Sequence, residues 1–268
     1  MAFPSTGINH RDGIKNEHKL TKQFNDGLIA EMFSIPNLTA EHRGGTTEKA
    51  DVVLIDSNTK EVVKRISAKE KKKETTGTYD YSNSTSYITY CAENNLPFVT
   101  YLREFMTYAK ELRTSGNISS TQKSECRTLC KQAVEKTLNS LTSSDIREIV
   151  DSVLITPNLG MDYVITIVNT KQMYHFEFTS HPIVKLINDS NTTFFLEKKS
   201  SKEYCESRTL MAKVGDNMID TGIRIRLHLN NGISALLGMS TTNKSSSFCI
   251  KFQQDNFESI KEISKVYG

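Results

Sequence analysis

The stretch from residue 44 to residue 73 constrains the fold more than any other part of the sequence. Residues 51–56 (DVVLID) have the composition of a β-strand, and the polar residues 57–60 (SNTK) that follow them are typical of a turn. Residues 61–71 then have the pattern of a second strand. The sequence therefore predicts a hairpin of two adjacent strands.

The predicted hairpin also indicates which side chains share a face. Counting back from the turn sets Asp51 opposite either Ile66 or Ser67, depending on the register that the turn fixes. Because side chains alternate along a strand, the second register places Asp51, Ser67 and Lys69 on one face. Ile66 and Ala68 then lie on the opposite, apolar face. One acid and one lysine are thus expected together at the end of a two-stranded ribbon.

Asp51 and the later sequence Ser67-Ala68-Lys69 resemble the PD-(D/E)xK motif of a superfamily of metal-dependent nucleases, which includes restriction enzymes and related phage and repair nucleases. In that superfamily an Asp begins one strand, and an acid-x-Lys sequence follows on the adjacent strand after a short turn. The resemblance covers about a third of the chain, at its N-terminal end. Two residues depart from the motif: Ala50 replaces the proline, and Ser67 replaces the second acid, so that one metal ligand is lost.

The resemblance implies an α/β fold with a restriction-endonuclease-like mixed central sheet flanked by helices and a β-rich C-terminal half. It implies a Mg²⁺-dependent DNA endonuclease of restriction or homing type, with Mn²⁺ able to substitute, that acts on double-stranded DNA as a homodimer. Asp51 and the backbone carbonyl of Ala68 would bind the metal, Lys69 would orient or deprotonate the attacking water, and Ser67 would hydrogen-bond a metal-bound water. A catalytically inactive DNA- or RNA-binding protein on the same fold is the alternative. Acyl transfer by a serine–lysine pair is disfavoured, because no oxyanion-hole motif accompanies it.

An acid that could complete the metal site lies on the predicted first helix, residues 9–33. Glu17 falls within the apolar stripe of that helix, where a carboxylate is costly unless it is paired, protonated or bound to a cation. One interpretation is an ion pair, for instance with Lys49. The other is that Glu17 points at Asp51 and binds the metal, and nucleases that resemble this chain often carry an acid on the first core helix. Glu31 is the second candidate on the same stripe.

Candidate DNA contacts follow the second strand of the hairpin. Residues 64–73 hold six cations, and residues 75–87 are rich in hydroxyls, amides and tyrosines, groups that reach phosphates and base edges. A solvated loop has the same composition and is the competing interpretation. The candidate contacts in this region are Lys71, Lys72, Tyr79, Asn83 and Ser84.

The remaining sequence predicts a change of structure near residue 157. We expect a nuclease core at 1–157 and a β-rich, DNA-contacting region at 158–268, which can belong to the same domain. In the strand predicted at 221–229, Arg224 and Arg226 alternate with inward aliphatic residues; they are either solvent-facing charge or one wall of a basic cleft facing Asp51. The other predicted helices are 97–112, 121–141, 144–154 and 257–267, and the other predicted strands are 161–168, 173–179, 192–196, 233–237 and 247–252.

The net charge and the cysteine content indicate the cellular compartment of the protein but say little about its function. The net charge of +3 is too small to argue for nucleic-acid binding by itself. Five scattered cysteines are an odd number and are expected to be reduced thiols. No stretch approaches the ~20 apolar residues of a membrane span, and the N-terminus lacks the pattern of a secretion signal. These features predict a cytoplasmic protein, either bacterial or virus-encoded.

Overall fold

The structure is a computed structural model that describes residues 8–44, 49–71, 79–168, 172–202, 205–240, 245–255 and 257–267. The chain is of the mixed α/β class, with two sheets and several helices. None of the described helices combines the length and the apolar composition that crossing a bilayer requires.

The elements are numbered in chain order. The helices are α1 Ile8–Gln23, α2 Ile29–Phe33, α3 Ser86–Glu93, α4 Thr100–Thr114, α5 Ser120–Ser140, α6 Ser143–Ile149, α7 Thr156–Leu159, α8 Pro182–Asn188, α9 Gly232–Leu236 and α10 Glu258–Ile263. The strands are β1 Leu38–His42, β2 Val52–Asp56, β3 Val62–Lys71, β4 Tyr79–Ser84, β5 Tyr163–Val168, β6 Gln172–Phe176, β7 Thr193–Lys202, β8 Cys205–Val214, β9 Asn217–Leu229, β10 Phe248–Gln254 and β11 Lys265–Tyr267. Short 3₁₀ or π segments cover Phe24–Leu28, Pro97–Val99, Val150–Ile155 and Phe178–Ser180.

The chain divides into two compact units that interleave along the sequence. The first unit comprises Met1–Tyr79, Thr156–Val184 and Asn256–Gly268, and the second comprises Asp80–Ile155 and Lys185–Asp255. The chain therefore passes between the units four times, whereas a single boundary at residue 157 was expected. Each unit has its own sheet.

The first unit contains a six-stranded mixed sheet with the order β1-β2-β3-β5-β6-β11. β3 and β5 run parallel, and every other neighbouring pair is antiparallel. Leu20 of α1 and Phe24 of the π segment that follows it pack in one buried cluster with Val52, Leu54 and Ile66 of the sheet. Burial of these side chains fixes α1 on that face, because each one removed from water contributes about 1.5–3 kcal/mol.

The single helix predicted at 9–33 is interrupted in the structure. α1 ends at Gln23, and a π segment then leads to α2. Gly27 has φ 129°, a conformation that an L side chain rarely adopts, and it breaks the helix there. Ser34, with φ 51°, ends α2 in the left-handed conformation.

The β2–β3 hairpin forms with the second of the two predicted registers. Val52 pairs with Ile66, which sets Asp51 opposite Ser67. The turn is fixed by the Asp56 side chain, whose Oδ1 accepts hydrogen bonds from the backbone N–H groups of Asn58 and Thr59 (2.7 and 2.9 Å). These bonds lower the pKa of Asp56, with the bond from Thr59 having the larger effect.

The second unit contains a five-stranded sheet with the order β4-β10-β9-β8-β7. Its neighbouring strands β7 and β8, β8 and β9, and β9 and β10 pair antiparallel. α5 packs against α4 and against three strands of this sheet. The helix α6 begins with the capping box that its sequence predicts: Thr142 Oγ1 accepts from the Asp145 backbone N–H (3.2 Å), and Asp145 Oδ2 accepts from the Thr142 backbone N–H (2.8 Å).

Three sequence predictions are wrong in the C-terminal half. Residues 233–237 lie in and beside the helix α9 instead of a strand; Asn231 and Gly232 have φ 56° and 69°, and the chain turns directly into a helical turn. Residues 257–267 form α10 followed by β11, which joins the sheet of the first unit. β8 was not predicted, and its partner β7 is longer than expected. Both strands contain polar residues that do not fit the pattern of a buried strand, although β8 is largely buried.

Candidate active site

Three residues of β3 converge on the Asp51 carboxylate. Asp51 Oδ2 accepts hydrogen bonds from the Ala68 backbone N–H (2.7 Å) and the Ser67 hydroxyl (3.1 Å), and Lys69 Nζ lies 3.7 Å from the same oxygen. The Asp51 N–H donates to the Ile66 carbonyl (2.9 Å), which holds the residue at the start of β2. The hairpin thus brings four of the predicted site residues together.

This carboxylate is partly withdrawn from solvent but retains one free oxygen. The side chains of Asp51 and Lys69 are 18% and 16% exposed, so their attraction is weakly screened compared with that of a surface pair. Ser67 is fully buried. Asp51 Oδ1 accepts no hydrogen bond from the described residues. One oxygen of the carboxylate is therefore held by the protein, and the other can bind a ligand.

The backbone of Ala68 points toward the same site. Within a strand the N–H and C=O of one residue project to the same side, and the Ala68 N–H projects toward the Asp51 side chain. Its carbonyl oxygen accordingly projects beyond the start of β2, while its side chain packs against the cluster under α1. Ser67 and Lys69 lie on the opposite face of the sheet from α1.

Glu17 is paired with a histidine that the sequence did not single out. Glu17 Oε2 lies 2.7 Å from His42 Nε2 on β1, and the His42 ring lies over that of His18 (centroids 4.1 Å apart). Glu17 also lies against Gly44, whose backbone N–H donates to the Asp51 carbonyl (3.1 Å). The interpretation of Glu17 as a paired carboxylate therefore holds in this structure, with His42 in place of Lys49. Glu31, the second candidate, is exposed on α2.

Gly44 has no space for a side chain beside this pair, which gives a test of the packing. A Cβ at Gly44 would lie 2.2 Å from Glu17 Oε2 and 2.8 Å from His42 Nε2. Because the pair would have to move, we expect Gly44→Ala to lower the free energy of unfolding by about 1–3 kcal/mol in urea titrations. Gly160→Ala is the matched control, since its Cβ would meet only the Pro157 carbonyl oxygen at 3.7 Å. Equal stability of the two variants would contradict the packing.

Metal-binding capacity at Asp51 rests on few protein ligands. Within the described ranges, no three His, Cys, Asp or Glu side chains are arranged so that they could share a metal ion. Mg²⁺ commonly uses one or two carboxylates and keeps several waters, so the free oxygen of Asp51 and the Ala68 carbonyl are chemically suitable ligands. Ser67 stands where the motif has a carboxylate, so the protein offers one metal ligand fewer than the motif does.

A cleft that sequence patterns alone do not predict lies beside Asp51 in the first unit. Its volume is about 340 Å³, and its walls include Arg43, Lys49 and Arg65. Ala50, next to Asp51 in the chain, also lines it. Arg65 belongs to the predicted run of cations, but the placement of Arg43 beside it depends on the pairing of β1 with β2.

The DNA contacts predicted after the hairpin are placed only in part. Asn83 is exposed on β4. The Ser84 hydroxyl accepts from the Tyr87 N–H (3.0 Å) and is within 3.2 Å of Ser86 Oγ, so it is engaged at the start of α3. Lys71 ends β3 and Tyr79 begins β4, but their side chains are not among those described, and Lys72 lies outside the described residues.

Arg224 and Arg226 are half-buried and have partners, so they are not plain solvent-facing charge. Arg224 Nη2 lies 2.7 Å from Asp255 Oδ1, and Arg226 Nε donates to the Cys205 sulfur (2.8 Å). Both arginines lie on a polar face of the second unit's sheet, where Lys251 Nζ lies 3.2 Å from Asp80 Oδ2.

His228 lies on the same polar face and makes the stability of the fold depend on pH. Burial, followed by the charges of Arg226 and Lys251, lowers its pKa to about 4, against opposing effects of Asn230 and Asp80. As the pH falls, His228 therefore takes up a proton near pH 6.5 in the unfolded chain but only near pH 4 in the folded protein. The stability from neutral His228 is complete above pH 6.5 and is lost progressively as the pH falls toward 4.

We expect the wild type to lose on the order of 2–3 kcal/mol more unfolding free energy between pH 7 and pH 4 than His228→Gln does. Urea unfolding of both proteins across this range measures the difference. Parallel pH profiles for the two proteins would contradict the assignment.

Comparison with protein-family models and with curated protein sequences found no match for this chain.

Proposed function

We propose that this protein is a Mg²⁺-dependent endodeoxyribonuclease with a restriction-endonuclease-like fold. The observation that carries the proposal is the arrangement of Asp51 and Lys69. Their charged groups lie within 3.7 Å of each other at the end of a hairpin, while the second oxygen of Asp51 accepts no hydrogen bond from the part of the chain that the structure describes. The mixed sheet of the first unit, with α1 packed on one face, agrees with the sequence resemblance to these nucleases.

Asp51 and the Ala68 carbonyl are the residues that would hold the metal. When bound, Mg²⁺ would polarise the phosphodiester and lower the pKa of a water. Asp51 keeps one oxygen oriented for this role because the Ala68 N–H and the Ser67 hydroxyl bind the other. Glu17 would be a second carboxylate only after leaving His42, so in this proposal it contributes less than Asp51.

Lys69 is the residue that would act on the attacking water. Its ammonium is held beside Asp51 and is 16% exposed, so it stands at the edge of the site that solvent reaches. It would orient the water and stabilise the developing negative charge on the phosphate. The Ser67 hydroxyl, fully buried, holds Asp51 in place and substitutes for a carboxylate only as a hydrogen-bond partner.

The substrate in this proposal is double-stranded DNA, and a homodimer would allow one site for each strand of a symmetric target. Arg224 and Arg226 of the second unit are proposed as further phosphate contacts. Engagement of DNA by Arg224 would require its bond to Asp255 to open, since the two side chains are paired. A cytoplasmic location is part of the same proposal.

A supercoiled plasmid tests the function directly. We expect nicked or linear DNA after incubation with Mg²⁺ or Mn²⁺, and intact plasmid with EDTA. Ligation by T4-type DNA ligase without prior kinase treatment would identify the expected 5′-phosphate and 3′-hydroxyl ends. Binding of DNA without cleavage under any divalent cation would select the second candidate, a non-catalytic nucleic-acid-binding protein, which the serine at position 67 favours.

A further inference from the structure

The cleft beside Asp51 combines cations with an apolar wall. Arg43, Lys49 and Arg65 supply the positive charge, and Ala50, Val53 and Met161 supply apolar surface. Its volume of about 340 Å³ lies at the small end of the range of ligand sites, roughly 300–1,000 Å³. A site of this size and composition suits one anionic group with an attached ring, and it is too small for a folded partner.

The cleft lies beside the candidate active site. Arg65 precedes Lys69 by four residues on the same face of β3, a separation of about 13 Å along a strand. The Arg43 backbone N–H donates to the Asp51 carbonyl (3.0 Å), so the start of β2 fixes the other wall. A polymer with a phosphodiester at Lys69 would therefore carry its neighbouring unit past Arg65.

The two arginines of the cleft are weakly neutralised by the residues that the structure describes. The Arg65 guanidinium pairs with no carboxylate among the described residues; the nearby Asp162 binds the Arg65 backbone N–H (2.7 Å) and the Lys64 ammonium (3.6 Å) instead. Among the residues with described positions, Arg43 pairs with Glu41 alone, at 3.3 Å between side chains that are 42% and 55% exposed. Exposed pairs of this kind contribute little and open readily.

We propose that this cleft binds the nucleotide adjacent to the scissile phosphodiester of the DNA strand. Arg65 and Arg43 bind its phosphate, and the apolar wall formed by Val53 and Met161 contacts its sugar and base. The assignment extends the proposed function to a substrate subsite and rests on it for the identity of the polymer as DNA. The phosphate contacts themselves require neither the metal nor cleavage.

Equilibrium binding in EDTA tests this assignment without the chemistry. Fluorescence anisotropy with a labelled DNA duplex would compare the wild type with Arg65→Gln and Arg43→Gln across a series of salt concentrations. Lys64→Gln is the matched control: it removes the same charge from the adjacent residue of β3, but on the other face, where Lys64 contacts Asp162 and Tyr163. Circular dichroism of each variant verifies the fold.

We expect Arg65→Gln to weaken binding by about 5- to 20-fold at low salt and to reduce the slope of log K against log[salt] by about one, as loss of one phosphate contact does. Arg43→Gln should behave similarly, and Lys64→Gln should leave the slope unchanged. Unaltered binding by Arg65→Gln, or equal losses in Arg65→Gln and Lys64→Gln, would overturn the subsite. Absence of plasmid cleavage with the predicted binding pattern would instead overturn the nuclease and retain the phosphate contacts of Arg65 and Arg43.

Discussion

Lys69→Ala and Asp51→Asn are expected to cleave DNA about 10²–10⁴-fold more slowly than the wild type while still binding it in EDTA. The first change removes the ammonium that lies 3.7 Å from Asp51 Oδ2. The second preserves the size of the side chain and its bond with the Ala68 N–H, but removes the charge that would hold the cation. Initial rates of plasmid nicking with saturating Mg²⁺ measure both effects.

Lys64→Ala serves as the control for these two variants. It removes a lysine from the same strand, on the face away from Asp51, and should cleave at the wild-type rate. Wild-type cleavage by Lys69→Ala would show that the mechanism proposed for this site is wrong. Loss of cleavage in all three proteins would point to a general loss of DNA binding, which the anisotropy measurement in EDTA would reveal.

Arg208→Met is expected to lower the free energy of unfolding by about 3–5 kcal/mol, the largest stability effect that we predict. Arg208 is buried on β8, where its guanidinium binds the fully buried Glu206 carboxylate and Asn139 Oδ1 (2.8 Å). Arg208 contacts Glu206 Oε1, and Glu206 Oε2 has no hydrogen-bond partner among the described residues. Removal of the guanidinium would leave the buried Glu206 carboxylate without a counter-ion. Urea unfolding of the second unit's secondary structure measures the loss.

The double variant Glu206→Leu/Arg208→Met separates the buried charge from the packing. An apolar pair of similar volume needs no counter-ion, so we expect the double variant to recover most of the stability lost in Arg208→Met. Equal instability of the single and double variants would assign the effect to altered packing of β8, and unchanged stability of Arg208→Met would contradict the role of the ion pair.

The sequence predicts the β2–β3 hairpin and leaves two registers open for it, because both the turn and the alternation of side chains are local rules. Turn composition limits the register to two choices, and alternation puts Asp51 on the face of Ser67 and Lys69 in only one of them. The pairing of β3 with β5 could not be predicted in this way. It joins segments separated by about ninety residues and is determined by packing within the first unit.

Prediction failed where burial overrides the local pattern. β8 contains Glu206 and Arg208, whose charges predict surface positions, yet the two side chains form an ion pair inside the second unit. His42 likewise gave no signal, because its importance comes from the placement of α1, which brings Glu17 to it. Residues 233–237 are aliphatic enough for a strand, but Asn231 and Gly232 redirect the chain into α9.

The interleaving of the two units affects how the protein must be made. During synthesis the hairpin that carries Asp51 and Lys69 leaves the ribosome first, and residues 80–155, which belong to the other unit, follow it. The β3 edge remains without its parallel neighbour until residues 163–168 have emerged. The nascent hairpin therefore has to wait for about ninety further residues, roughly a third of the chain, before β5 can pair with β3, and a chaperone that shields exposed strand edges would act during that interval.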